Sequence, residues 1–199
     1  VLALCGAYAL KAFYSSAGFD DLGWFLAPTV TLLGWITGAT FELEPHQGYL
    51  SRDLLFQVVP SCAGVNFLIV AFTSLVCGLV FLQPTTFRKV ILLPLSAIAA
   101  YITTIVANAV RIAIGAWLHT AGVSFGPLTP ERLHHLEGTI VYFFFLCVLF
   151  AAALRWARVC PGTCPPPQEC KTNRHRQLPT AKRHLIVWVP LAVYIAVIV

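Results

Sequence analysis

Apolar runs approaching membrane-spanning length recur along this chain, parted by short polar stretches, and nothing else limits its fold as tightly. Windows along the sequence give six of them, at residues 1–17, 23–41, 62–82, 90–118, 134–154 and 185–199. A helix needs about 20 apolar residues to cross the hydrocarbon core of a bilayer. In lipid every backbone N–H and C=O must be bonded within the protein, so continuous apolar runs fold as helices. Strands of a membrane barrel would alternate apolar and polar residues, which these runs do not. The expected fold is therefore all-α, a polytopic membrane helical bundle with about six transmembrane spans. Composition agrees: 58% of residues are hydrophobic and 11% charged, against roughly 25% charged in soluble domains. Without an internal repeat or a soluble stretch able to fold alone, residues 1–199 read as a single integral membrane domain. The chain has no Met, begins inside the run "VLALCGAYAL" and closes inside "LIVWVPLAVYIAVIV", so both ends are expected to be truncated.

The net charge of +5 is concentrated in one place. Residues 155–184 hold Arg155, Arg158, Lys171, Arg174, Arg176, Lys182 and Arg183, and the turn "QPTTFRK" adds Arg88 and Lys89. If the spans alternate, both segments lie on one side, which the positive-inside rule makes cytoplasmic. The charge thus bears on topology and on contact with anionic membrane lipids, not on nucleic acid. Cys160, Cys164, Cys170 and His175 fall in this basic loop, in "CPGTCPPPQECKTNRH". Its Pro run and cationic surroundings suit a flexible tether better than zinc, so no metal and no cofactor is assigned. An odd count of seven cysteines also gives no secreted disulfide framework.

On the opposite side three reactive groups fall at one level. Cys62, in "VVPSCAGVNFLIV", stands where an aqueous segment meets the third run, and Gly64 and Asn66 follow closely. A thiol in a membrane segment is ordinarily a small apolar residue, and Cys5, Cys77 and Cys147 are read that way. Partial exposure sets Cys62 apart, because thiolate chemistry needs access. Arg111, in "VANAVRIAIGAWL", is an arginine at membrane depth, which marks a functional site unless it snorkels to the headgroups. Asn108 lies three residues earlier on the same helical face. His134 and His135 open the fifth run in "ERLHHLEGTIVYFFFL", and one of the pair simply occupies the interface. Gly138, one turn past His134, leaves room for a substrate backbone, as Gly64 does beside Cys62. Glu137 either orients an imidazole or caps the first turn. Asn66 either anchors the span or makes an interhelical hydrogen bond. Glu42, Glu44 and His46 shape the outer loop or touch substrate. Together these groups are the parts of a thiol-dependent acyl transferase. The competing reading is a non-catalytic small membrane transporter or anion-binding subunit, with Arg111 holding an anionic solute.

The three segments "CAG", "NAVR" and "LHHLEGTIVYF", in that order, resemble the exosortase/archaeosortase family of membrane-embedded cysteine transpeptidases over roughly residues 55–150. The chain is short for that family and looks like a compact, K-type member. The resemblance implies that Cys62 is the nucleophile, Arg111 assists the transition state and His134 is the general acid/base, with His135 as the substitute. It implies substrate proteins carrying a C-terminal recognition motif (Pro-Glu-Pro or comparable, as in PEP-CTERM signals), a transmembrane helix and a basic tail. It also implies a multi-pass protein of the inner, cytoplasmic membrane whose site faces the extracytoplasmic side. Transfer to an amine and hydrolysis by water remain equal alternatives.

Overall fold

The computed structural model describes residues 2–45, 48–53, 56–83, 85–121 and 130–159. Among these residues five helices carry the fold: α1 (Leu2–Ser16), α2 (Gly23–Thr37), α3 (Val65–Leu79, prolonged by a 3₁₀ turn to Leu82), α4 (Thr86–Thr120) and α5 (Pro130–Val159). Three of them are long and apolar enough to cross a membrane: Val65–Leu82, Thr86–Thr120 and Leu136–Ala157. α1 and α2 have 15 residues each, about 22 Å at 1.5 Å per residue, less than the hydrocarbon thickness. Among the described residues three helices are therefore of crossing length, where the apolar runs of the whole chain led us to expect six spans. The last expected run, 185–199, and the basic loop from residue 160 lie outside the described residues.

α4 is the axis of the bundle, with 35 residues or roughly 52 Å of helix. Thr85 caps its start by accepting a hydrogen bond from the Arg88 N–H. Ser96, Ala100, Thr104, Asn108 and Ala116, spaced in fours and eights, are buried along one line of the helix. Small side chains on such a line let neighbouring backbones come close, and α2, α3 and α5 all pack on α4. α3 and α5 run antiparallel to it. Cys62 and Asn108 meet at one end, while Leu75, Leu79, Leu92 and Phe150 cluster at the other.

Two features depart from expectation. The fold is mostly helical, as expected, but it also holds an antiparallel three-stranded meander of β1 (Glu42–Glu44), β2 (Gly48–Ser51) and β3 (Phe56–Val58). This stretch is too polar for lipid, so its backbone groups are paired with neighbouring strands instead. Gly48 has φ 138°, and a Cβ there would overlap the Val58 carbonyl oxygen, so the β2–β3 approach requires glycine. On the exposed surface of the sheet, Glu42 of β1 pairs at 3.0 Å with Arg52, just past the end of β2.

The second departure concerns alternation. Lys11 bonds Asn66, and Ala7 and Leu10 share a cavity wall with Ile69 and Phe72, so α1 runs antiparallel to α3. Its last turn thus ends beside Cys62. The connection to α2 stays at that end, where Phe19 packs edge-on against Tyr49 of β2 with ring centroids 5.7 Å apart. α2 then starts at the depth of Tyr101, whose ring stacks on Trp24 and whose O–H donates to the Trp24 carbonyl. It returns to the meander within five residues of its end. α1 and α2 therefore both run toward the Cys62 end, where alternating spans would run in opposite directions.

Candidate active site

Cys62 closes a three-residue 3₁₀ turn, Pro60–Cys62, between the extended backbone of Val59 and the start of α3. Pro60 suits the first position of such a turn because its φ is preset and it needs no donor partner. The turn is closed by Cys62 N–H to Val59 C=O (2.8 Å) and Ala63 N–H to Pro60 C=O (3.0 Å). Gly64 then takes a left-handed conformation, φ 72°, and the α3 ladder begins with Phe67 N–H to Gly64 C=O. The half-buried thiol consequently stands just ahead of a helix, on a bend with no side chain at its pivot.

The Cys62 carbonyl precedes the α3 ladder, and α4 supplies its partner. Asn108, fully buried at 0% exposure, donates from Nδ2 to the Cys62 carbonyl oxygen. Its Oδ1 accepts a 2.8 Å hydrogen bond from the Tyr142 O–H of α5. Tyr142 is held flat by Phe67 of α3, the rings stacked 4.7 Å apart at 11°. Three helices thus meet around one amide.

Arg111 comes from the same face of α4, one turn beyond Asn108. Its guanidinium carbon lies 5.4 Å from the centre of the Tyr142 ring, within cation–π range. Its stem crosses Gly138: a Cβ at that glycine would be 3.2 Å from Arg111 Cδ and 3.4 Å from Nη1. The buried Arg111 Nε has no hydrogen-bond partner among the described residues. Buried donors are normally paired, so an unspent guanidinium N–H is suited to an anion or oxyanion. Glu137, 8% exposed, feels the Arg111 charge from the adjacent α5 position. Tyr14 of α1 lies within electrostatic reach of both Cys62 and Arg111.

The expected thiol and guanidinium are therefore brought to one end of the bundle, around Tyr142. Asn108 joins them, and Glu137 lies beside Arg111. His134 and His135 are in the opening turns of α5, with position 134 one turn before Gly138, and their side chains lie outside the described residues. Two glycine roles change. The space at Gly138 is occupied by Arg111 and not left for substrate. The space at Gly64 is occupied by Tyr142 and Asn108, since a Cβ there would lie 3.0 Å from the phenol oxygen and 3.2 Å from the amide carbon. Asn66 accepts a 2.8 Å hydrogen bond from Lys11 Nζ, an interhelical tie and not part of the Cys62 turn. Glu42 pairs with Arg52, Glu44 ends β1, and His46 lies outside the described residues, as do Cys160, Cys164, Cys170 and His175. Among the described residues no three His, Cys, Asp or Glu side chains group as a metal site.

Tyr142 and Tyr14 were not among the residues that the sequence singled out. Tyr142 did carry a signal, because it sits four residues past Gly138 and eight past His134, on one slowly drifting helical face.

A family model described as transmembrane exosortase (Exosortase_EpsH) matches residues 25–151, which takes in the meander, the Cys62 turn, α3, α4 and most of α5. Comparison with curated proteins and with solved structures gave no match.

Proposed function

The chain belongs to the transmembrane exosortase family, and from that membership we propose that it is a membrane cysteine transpeptidase acting on C-terminal sorting signals of exported proteins. The observation that supports the reading is that Cys62, in the turn ahead of α3, and Arg111 of α4 both lie within electrostatic reach of Tyr14 and Tyr142 at one end of the bundle. In this reading that end faces the extracytoplasmic side of the cell membrane. The basic turn at Arg88 and Lys89 then faces the cytoplasm, as the positive-inside rule asks.

The Cys62 thiolate attacks the scissile carbonyl of a signal presented at the membrane edge. The carbonyl oxygen gains negative charge and is met by the Arg111 guanidinium, whose Nε is unspent. A preorganised cation in a low-dielectric site acts most strongly where charge develops. Collapse of the tetrahedral intermediate breaks the C–N bond. His134, with His135 as the alternative, protonates the departing amine, and an acyl thioester remains on Cys62. Attack by an amine gives transfer and attack by water gives hydrolysis, either one returning the thiol.

The test is to incubate the full chain in lipid with a protein bearing a short Pro-Glu-Pro motif, one apolar helix and a basic tail. After an acid quench, mass spectrometry of the Cys62 peptide should show the substrate's acyl fragment attached through sulfur, removable by hydroxylamine. Cleaved substrate accompanied by an adduct on a different residue, or by none in burst-phase samples, overturns the assignment of Cys62 as nucleophile.

A further inference from the structure

The Cys62 turn has little of its own to hold it. It is three residues long, ends at a left-handed glycine, and its last carbonyl lies outside the α3 ladder. That carbonyl's orientation depends on which way the Asn108 amide faces. An asparagine amide has one accepting and one donating end, and both ends are buried here. The Cys62 carbonyl can only accept and so takes the Nδ2 end, and the Tyr142 O–H, at 2.8 Å, satisfies the Oδ1 end and holds the amide from its other side.

We infer that Tyr142 is a positioning residue of the active site: by donating to Asn108 Oδ1 it fixes the amide that holds the Cys62 carbonyl, and so sets where the thiol stands relative to Arg111. The inference rests on the transpeptidase reading of Cys62 and Arg111. The phenol is itself fixed from several directions. Phe67 stacks on one face of the ring, and the Arg111 guanidinium lies within cation–π range of it. Gly64 offers no Cβ against its oxygen, where one would be 3.0 Å away. Because the same ring touches the helix of the thiol and the side chain of the cation, it sets their separation and not merely the position of each. The Asn108 amide also keeps its second Nδ2 hydrogen, which the Cys62 carbonyl does not use.

The experiment uses the full chain in lipid nanodiscs as wild type, Tyr142→Phe, Asn108→Ala and the double variant. Tyr142→Phe keeps the ring, its stacking and its cation–π contact and removes only the donor. The first readout is alkylation by iodoacetamide, resolved by peptide mass spectrometry, with Cys77 at the far end of α3 as internal reference. Releasing the turn should raise the Cys62 rate several-fold relative to Cys77 in Tyr142→Phe and in Asn108→Ala. The double variant should go no further than the larger single effect. A Cys62-to-Cys77 ratio unchanged in Tyr142→Phe, a rise shared equally by Cys77, or single effects that multiply in the double variant would each overturn the inference. The second readout is substrate processing, where Tyr142→Phe should lower kcat by about 10- to 100-fold, the penalty of a slightly misplaced reactive group, with KM unchanged. Unchanged kcat with raised KM would count against positioning. The two readings fail separately. Processing that survives Cys62→Ala removes the transpeptidase assignment, whereas the alkylation cycle reports on Tyr142 without any substrate.

Discussion

The two ends of α3 are held by different means. At the Cys62 end, side chains of four helices are tied by directed hydrogen bonds: Lys11 to Asn66, Asn108 to the Cys62 carbonyl, and Tyr142 to Asn108. At the Leu79 end, Leu75, Leu79, Leu92 and Phe150 are joined by apolar contact alone, next to a groove of about 370 Å³ lined by residues such as Leu95, Ala99 and Trp156. Dispersion contacts are numerous but have little direction, so they tolerate small sliding. Hydrogen bonds fail quickly with angle and distance. The directed bonds gather around the Cys62 turn, and the tolerant contacts remain where only cohesion is required.

The comparison can be broken first at its chemical end. Cys62→Ala should lower processing of a tailed substrate by at least about 10³-fold, the scale of losing a nucleophile, while membrane insertion and detergent-extracted yield stay at wild-type levels. Arg111→Lys should lower processing by roughly 10²–10³-fold, because a point charge cannot reproduce the guanidinium's fork or its place over Tyr142. A near-native rate in that variant would show that charge alone suffices.

Paired glycine substitutions sharpen the contrast between the two ends. Gly64→Ala puts a side chain on a left-handed residue, at a cost of about 1–3 kcal/mol, and presses on the Tyr142 oxygen. Processing should fall about tenfold, the rate equivalent of 1.4 kcal/mol. Gly78→Ala would set a Cβ 2.5 Å from the Phe150 ring, an overpacking cost of about 1–3 kcal/mol. Its unfolding free energy should drop by about that amount while kcat stays near wild type. Equal loss of activity in both variants would mean that the ends are not independent.

The smallest effect is expected at the meander. The Thr40 N–H and Oγ1 both donate to Asp53 Oδ2, at 3.1 and 2.9 Å, and these bonds hold the exposed carboxyl below its usual range. A depressed carboxylate adds stability that is present above the unfolded pKa of about 3.9 and is lost as pH falls through the lower folded value. Hydrogen exchange of the Thr40 amide should therefore quicken below about pH 4 after correction for intrinsic rates. In Asp53→Asn that acid step should vanish, with activity unaffected at neutral pH.

Much of this molecule was legible in the residues. The expected runs 62–82, 90–118 and 134–154 coincide closely with the helices of crossing length, because the transfer of side chains to lipid is summed locally along the chain. Cys62, Arg111 and His134 were singled out as reactive types at helix mouths. The meander was missed, since its strands are three or four residues long and too short for an alternating pattern to stand out. The role of Gly138 was misjudged because a glycine shows that space is needed without saying what fills it.

By itself the sequence determined a membrane protein built on long apolar helices, with a thiol and a guanidinium near their polar ends, since hydropathy and side-chain chemistry belong to each residue separately. The tertiary structure decided which groups touch. The small residues along α4 set how closely α3 and α5 approach, and that spacing places Asn108 on the Cys62 carbonyl, Arg111 on Gly138 and Tyr142 against both residues of α4. Such contacts depend on the rotation and depth of one helix against another, quantities fixed by packing between segments far apart in the chain.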